Sequence, residues 1–191
     1  MAKLNKSKVV TSAKVRWSYV NVWEPKSVEG SSAKYSIQLI IKKDDQETIS
    51  RISEAIINAY EEGKGILADK AGNVPAMSVM KLPLRDGDAE KPNEENYKGC
   101  YFLNASSVNQ PEIVDASCQP IIDHSEVYSG IYGRASITFY AFNKDGKKGI
   151  ACGLNNLQKI ADGEPLGSRT SAKDDFGASE DPISNPLPFD L

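Results

Sequence analysis

A length of 191 residues, 40% of them hydrophobic and 26% charged, fits one globular domain with an appendage. No apolar run is long enough to span a bilayer, and three scattered cysteines with one histidine argue against a disulfide framework and against a zinc site. The net charge of −3 is unevenly spread: of 23 basic and 26 acidic side chains, residues 162–191 hold two and seven, so this end is −5 and the remainder +2.

The first residues, MAKLNKSKVV, are basic without an apolar stretch, so no secretion signal is read and a cytoplasmic location is expected. Residues 9–23, VVTSAKVRWSYVNVW, alternate in character. Val9, Thr11, Ala13, Val15, Trp17 and Tyr19 share one parity and Lys14, Arg16 and Ser18 the other, which predicts a long strand with one exposed face. A loop with Pro25 and Gly30 follows. KYSIQLIIKK is a second strand, with Tyr35, Ile37, Leu39 and Ile41 on one face.

Asp44 or Asp45 can cap a helix in which Ile49, Ile52, Ile56 and Ala59 or Tyr60 recur at three- and four-residue spacing, with Gly63 as its stop. Residues 63–97 are rich in Gly, Pro, Asp and Lys and predict a long, irregular excursion of the kind that usually carries function. GCYFLNASS is a third strand.

In residues 128–142, YSGIYGRASITFYAF, one parity is small or apolar: Ile131, Gly133, Ala135, Ile137, Phe139 and Ala141. The other holds Tyr132, Arg134, Ser136, Thr138, Tyr140 and Phe142. NKDG then predicts a hairpin turn into KKGIACGLNNLQKI. About five strands, one early helix and long loops predict a mainly β fold, a small Greek-key barrel. After Ile160 periodicity fades into a proline-containing acidic tail ending PLPFDL, which is expected to be disordered in isolation.

No catalytic residue is assigned. The sequence has no phosphate loop, H-E-x-x-H, G-x-S-x-G or C-x-x-C, and His124 in IIDHSE reads as a loop residue. The DGD at Asp86–Asp88 could hold a divalent cation through hard oxygens but reads as a turn, so no metal or cofactor is expected. Binding chemistry is better represented. Single-stranded nucleic acid is held by cations along the backbone and by rings on which bases stack. The candidates are Arg16, Trp17, Lys34, Phe102, Tyr132, Arg134 and Tyr140. Trp17, Tyr19 and Tyr35 sit on apolar parities, where core packing competes with stacking. Cross-strand packing competes at Tyr132 and Tyr140.

Taken in order, VRWSYVNVWEPK, KYSIQLIIKKDD, LPLRDGD, GCYFLNASS and the run from Tyr128 to Gly167 resemble a family of phage-encoded single-stranded-DNA-binding proteins built on an OB fold. The resemblance implies a five-stranded OB barrel over residues 1–167 and a flexible acidic tail over 168–191. It also implies a protein that coats single strands in replication or recombination, in the host cytoplasm if phage-encoded. The tail resembles acidic tails that reach replication or recombination proteins, with Asp181, Phe189 and Asp190 as its contact residues, and an anionic tail can also compete with DNA for basic groups. Expected partners are therefore single-stranded DNA and such proteins, with a homodimer left open and no membrane. A protein-interaction or virion module, and a metal-dependent nuclease using the DGD acids, are the rival readings.

Overall fold

The computed structural model describes residues 5–167. These residues form eight strands: β1 Lys8–Val10, β2 Arg16–Lys26, β3 Lys34–Lys42, β4 Arg85–Asp86, β5 Cys100–Ser107, β6 Glu112–Val114, β7 Tyr132–Lys144 and β8 Lys147–Ala161. Helix α1 spans Gln46–Glu62, and α2 (Lys64–Leu67) and α3 (Gly87–Glu90) are single turns. Five strands close on themselves: β2 pairs with β3, β3 with β5, β5 with β8, β8 with β7, and β7 returns to β2. All these pairings are antiparallel except β5 with β8, which meet in parallel through Ser106↔Gly153. Numbered within the barrel the order is 1-2-3-5-4, the expected OB arrangement.

The strand expected over 9–23 exists in two pieces. Thr11 N–H bonds to Ala135 O and Gly133 N–H to Val15 O, so β1 and β2 lie along the same edge of β7 and are parted by a turn at residues 12–14. A second break follows. Ser18 faces Gln38 but Asn21 faces Ser36, so β2 carries one extra residue there. Tyr19 occupies this bulge at φ +45°. A bulge reverses the parity of everything beyond it. Val15 and Trp17 point into the core before it, and Val22 after it.

On β7 the alternation holds along its length. Gly133, Ala135, Ile137, Phe139 and Ala141 all face inward, as does Ile131 just before the strand. Gly133 is required by its neighbour: a β-carbon there would fall 2.6 Å from Trp17 Cζ2 and 2.3 Å from Gln158 O. Asp145 at φ +54° and Gly146 at φ +81° make the β7–β8 turn, as the NKDG signal requires.

Helix α1 closes one end of the barrel with Ile52, Ala55, Ile56 and Ala59. Its N-cap is Asp45, which accepts from Thr48 N and from Ser12 Oγ at 2.5 Å, tying the helix to the β1–β2 turn. Burial works to raise the Asp45 carboxyl, but these hydrogen bonds outweigh it and leave the group below its ordinary value.

The excursion is more ordered than its composition suggests. It contains α2, β4 and α3, and β4 pairs with β5 on the barrel's outside through Arg85↔Phe102 and Asp86↔Tyr101. Beneath it lies a second apolar cluster of Ile40, Tyr97, Cys100 and Phe102. Lys43 latches the excursion to the end of β3, with Nζ 2.7 Å from Asp86 and 2.8 Å from Asp88.

Candidate nucleic-acid interface

The expected site residues do not form one group. Trp17 and Phe102 are each 0% exposed, so neither offers a ring face, and their expected stacking role is corrected. Trp17 lies in the barrel core against Gly133. Phe102 does lie on the outward parity of β5, but the excursion covers it. Tyr97 meets its ring edge-on at 5.4 Å, and the Arg85 guanidinium lies 4.9 Å above it.

Arg16 and Tyr132 are paired across β2 and β7, with the guanidinium 5.6 Å from the ring. The same guanidinium donates to Gly130 O at 3.1 Å and to Glu164 O at 2.7 Å. Gly163 closes over Tyr132, where a β-carbon would fall 2.9 Å from the ring. These two residues fasten the strap 162–167 onto the barrel. Arg134 is exposed on β7 and its Nε donates to Thr11 O at 3.3 Å, bracing the β1–β2 turn. Lys34 stands at the start of β3 opposite Lys26. Asp181, Phe189 and Asp190 lie outside the described residues.

Tyr140 is 46% exposed, and its ring edge lies beside Gly153 on β8. Tyr19 is 59% exposed. Its strand parity indicated core, and nothing in the sequence signals the bulge that turns it outward.

Between these two tyrosines runs a single line of register. Asn21 faces Ser36, Ser36 faces Ser106, Ser106 faces Gly153, and Gly153 faces Thr138. This belt crosses all five barrel strands on the outer face with no side chain larger than asparagine. Facing strands are about 4.8 Å apart, so its four steps span roughly 19 Å. Polar groups beside it hold one another in place. Asn21 donates to Ser36 Oγ at 3.4 Å, Gln38 to Asn104 Oδ1 at 2.9 Å, and Asn155 to Thr138 Oγ1 at 2.9 Å. The Tyr97 hydroxyl donates to Gln38 Oε1.

Cations border the belt. Lys91 lies 5.7 Å from the Tyr19 ring and 4.2 Å from that of Tyr97. Burial tends to lower its pKa, but Glu94 and the neighbouring tyrosines outweigh this and keep it charged. Arg85 lines a cleft of about 240 Å³ with Lys81, Asn104, Ser106, Phe142 and Ala151, where β5 meets β8. Lys144, Lys147 and Lys148 crowd the β7–β8 turn. Among the described residues none of these three, nor Lys26 or Lys34, is ion-paired. A floor of small hydroxyl and amide groups, with a ring at each end, Arg85 and Lys91 beside it paired with Glu90 and Glu94, and unpaired lysines further out, can stack bases and neutralise phosphates.

Residues considered for chemistry are otherwise engaged. Hydrogen bonds from Lys43 hold Asp86 and Asp88 below the ordinary carboxylate range, and its ammonium stands where a cation between them would sit. Among the described residues no three His, Cys, Asp or Glu side chains group to hold a metal. His124 stacks on Trp23 with ring centroids 4.0 Å apart, while Asp123 accepts from Ser125 instead.

The sequence profile of the family described as Enterobacter phage Enc34, ssDNA-binding protein, matches residues 7–184. Protein p50 of Acyrthosiphon pisum secondary endosymbiont phage 1 is 28% identical over 160 residues, covering 78% of this chain and 82% of that protein. Among solved structures, the single-stranded DNA-binding protein from bacteriophage Enc34 in complex with ssDNA superposes with a TM-score of 0.72 at 23% identity, over 87% of this chain and 97% of that one. Gp2.5, a single-stranded DNA binding protein encoded by bacteriophage T7, superposes with a TM-score of 0.62 at 11% identity, over 93% and 98%.

Proposed function

The chain belongs to the Enterobacter phage Enc34 ssDNA-binding protein family, and from that premise we propose that it coats single-stranded DNA during phage replication or recombination without strong sequence preference. The observation that carries this reading is the belt from Asn21 to Thr138. In OB folds the second and third barrel strands and the loops at their ends take oligonucleotides, and here β3 and β5 supply the middle of the belt. Tyr19 and Tyr140 stack bases at its two ends. Lys34, Arg85, Lys91 and the lysines of the β7–β8 turn neutralise phosphates. Ser36, Ser106 and Gly153 let the strand lie close to the sheet.

The protein acts without catalysis, in the host cytoplasm. Its acidic tail presents Phe189 to replication or recombination proteins, with Asp181 and Asp190 adding charge. Fluorescence anisotropy of a labelled oligo-dT tests the central claim. Tight binding at low salt that weakens as salt rises is expected, with a log–log slope of roughly −0.7 per phosphate neutralised. Absence of binding at low salt would overturn it.

A further inference from the structure

β1 is an edge strand with a gap beside it. Ser7, Val9 and Thr11 turn their backbone groups toward β7: Ser7 O accepts from Phe139 N, Thr11 N donates to Ala135 O, and Val9 faces Ile137. Alternate residues of an antiparallel strand point the other way, so Lys8 C=O and both backbone groups of Val10 face outward, without partners among the described residues. On that side β2 is followed by β3, but β3 ends at Lys42 and α1 runs past β1 in its place. The helix substitutes for a strand only at the ends of the gap. Asn58 donates to Lys6 O at 3.2 Å, and Thr48 Oγ1 accepts from Ser12 N at 3.0 Å. Between them lies an open cleft of about 580 Å³ with Val9, Val10, Lys6, Lys8, Arg51 and Glu54 in its walls. It therefore offers a sheet rim unpaired among the described residues, an apolar floor, and three cations against one acid, Arg51 being also bonded to Glu47 one turn back on α1.

We infer that this cleft takes an extended acidic peptide by strand addition, and that its occupant is the chain's own segment Asp174–Asp181. Strand addition needs free N–H groups on the incoming peptide and suits a sheet edge. Residues 174–191 carry five acids and no base, and 174–181 is their proline-free part, with Phe176 to lay against Val10. A second copy of β1 is the poorer occupant, since it would bring Lys6, Lys8 and Arg51 against their own images. Reach is sufficient. Gly167 shares a cleft with Tyr19, and the nine residues from Tyr19 back to Val10 span at most about 30 Å. The nine residues from Gly167 to Phe176 can likewise extend about 30 Å, which brings Phe176 to Val10. Docked this way, the segment leaves the proline-rich end with Phe189 outside the cleft and the belt between Tyr19 and Tyr140 open.

Photo-crosslinking tests the inference on the full chain without DNA, so its outcome is separate from that of the DNA-binding reading. With p-benzoylphenylalanine at position 54, irradiation followed by trypsin is expected to join the peptide carrying position 54 to the peptide 174–191, in a species of monomer mass. Arg51→Glu, on the exposed side of α1, is expected to cut the yield at least fivefold. Val10→Pro, which removes an outward N–H while sparing the β7 ladder, is expected to do the same, with folding checked by circular dichroism. No link to 174–191, a link found only in dimers, or a yield that Arg51→Glu leaves unchanged would overturn it.

Discussion

Two regions of the barrel hold aromatic and basic side chains, and they use them in opposite ways. At the corner where β2 meets β7, Trp17, Arg16 and Tyr132 turn inward or fasten the strap 162–167. Across the belt, Tyr19 and Tyr140 keep exposed rings at the ends of a floor of small polar residues. The difference lies in what the backbone brings near each side chain. Arg16 meets two carbonyl oxygens and Trp17 meets a glycine, whereas the bulge lifts Tyr19 clear of any such partner. Composition alone does not make a binding face; a ring left exposed by its backbone neighbours does.

The largest effect that could break this contrast is on stability. Trp17→Ala should lower unfolding stability by about 3–5 kcal/mol, as removal of a buried large aromatic does. Gly133→Ala should cost of order 1–3 kcal/mol by overpacking against Trp17 and Gln158 O. Denaturant titration reads both, and wild-type stability in either variant would mean that the corner is not the barrel's core. On the belt the sign is reversed. Tyr19→Ala and Tyr140→Ala should each weaken oligo-dT binding by about 1–3 kcal/mol while moving the unfolding midpoint little. Equal losses from Arg16→Ala and Tyr140→Ala in the same anisotropy assay would erase the distinction between the two regions.

A smaller effect concerns the lysines of the β7–β8 turn. Replacing Lys147 and Lys148 by alanine should flatten the salt dependence of binding, by a slope of roughly 0.7 for each lost phosphate contact. An unchanged slope would place the strand elsewhere.

The smallest effect is in acid. Asp45, Asp86 and Asp88 titrate lower in the folded protein than in the unfolded chain. The unfolded chain therefore takes up protons first as pH falls. The stability these groups contribute is complete above the unfolded carboxylate value near 3.9 and is lost as pH drops through the folded values. Lys43→Met removes the main cause of the shifts at Asp86 and Asp88, so the denaturation midpoint of that variant should fall less between pH 7 and pH 3 than the wild-type midpoint does.

Much of the barrel was legible in the sequence because local periodicity and local packing agree there. The inward row of β7, the Asp45 cap, the Gly63 stop and the NKDG turn each depend on neighbours a few residues away. The candidate site was less legible because it depends on longer range. Tyr19 escapes its parity through one extra residue set against β3, and Phe102 loses its exposure to a segment that pairs back onto β5. The belt itself is a row of register across strands far apart in sequence, and no window along the chain contains it.

The single rung by which β5 itself meets β8, Ser106↔Gly153, with β6 adding three parallel rungs further along β8, also bears on how the barrel assembles. β7 and β8 form a long hairpin from sequence neighbours, and β2, β3 and β5 join antiparallel along the chain. The seam between β5 and β8 closes a large chain loop for little ladder in return, so it should form late in folding and be the first joint to breathe. Amide exchange is therefore expected to be faster at this seam than along the hairpin, and a strand laid across it would act as a splint.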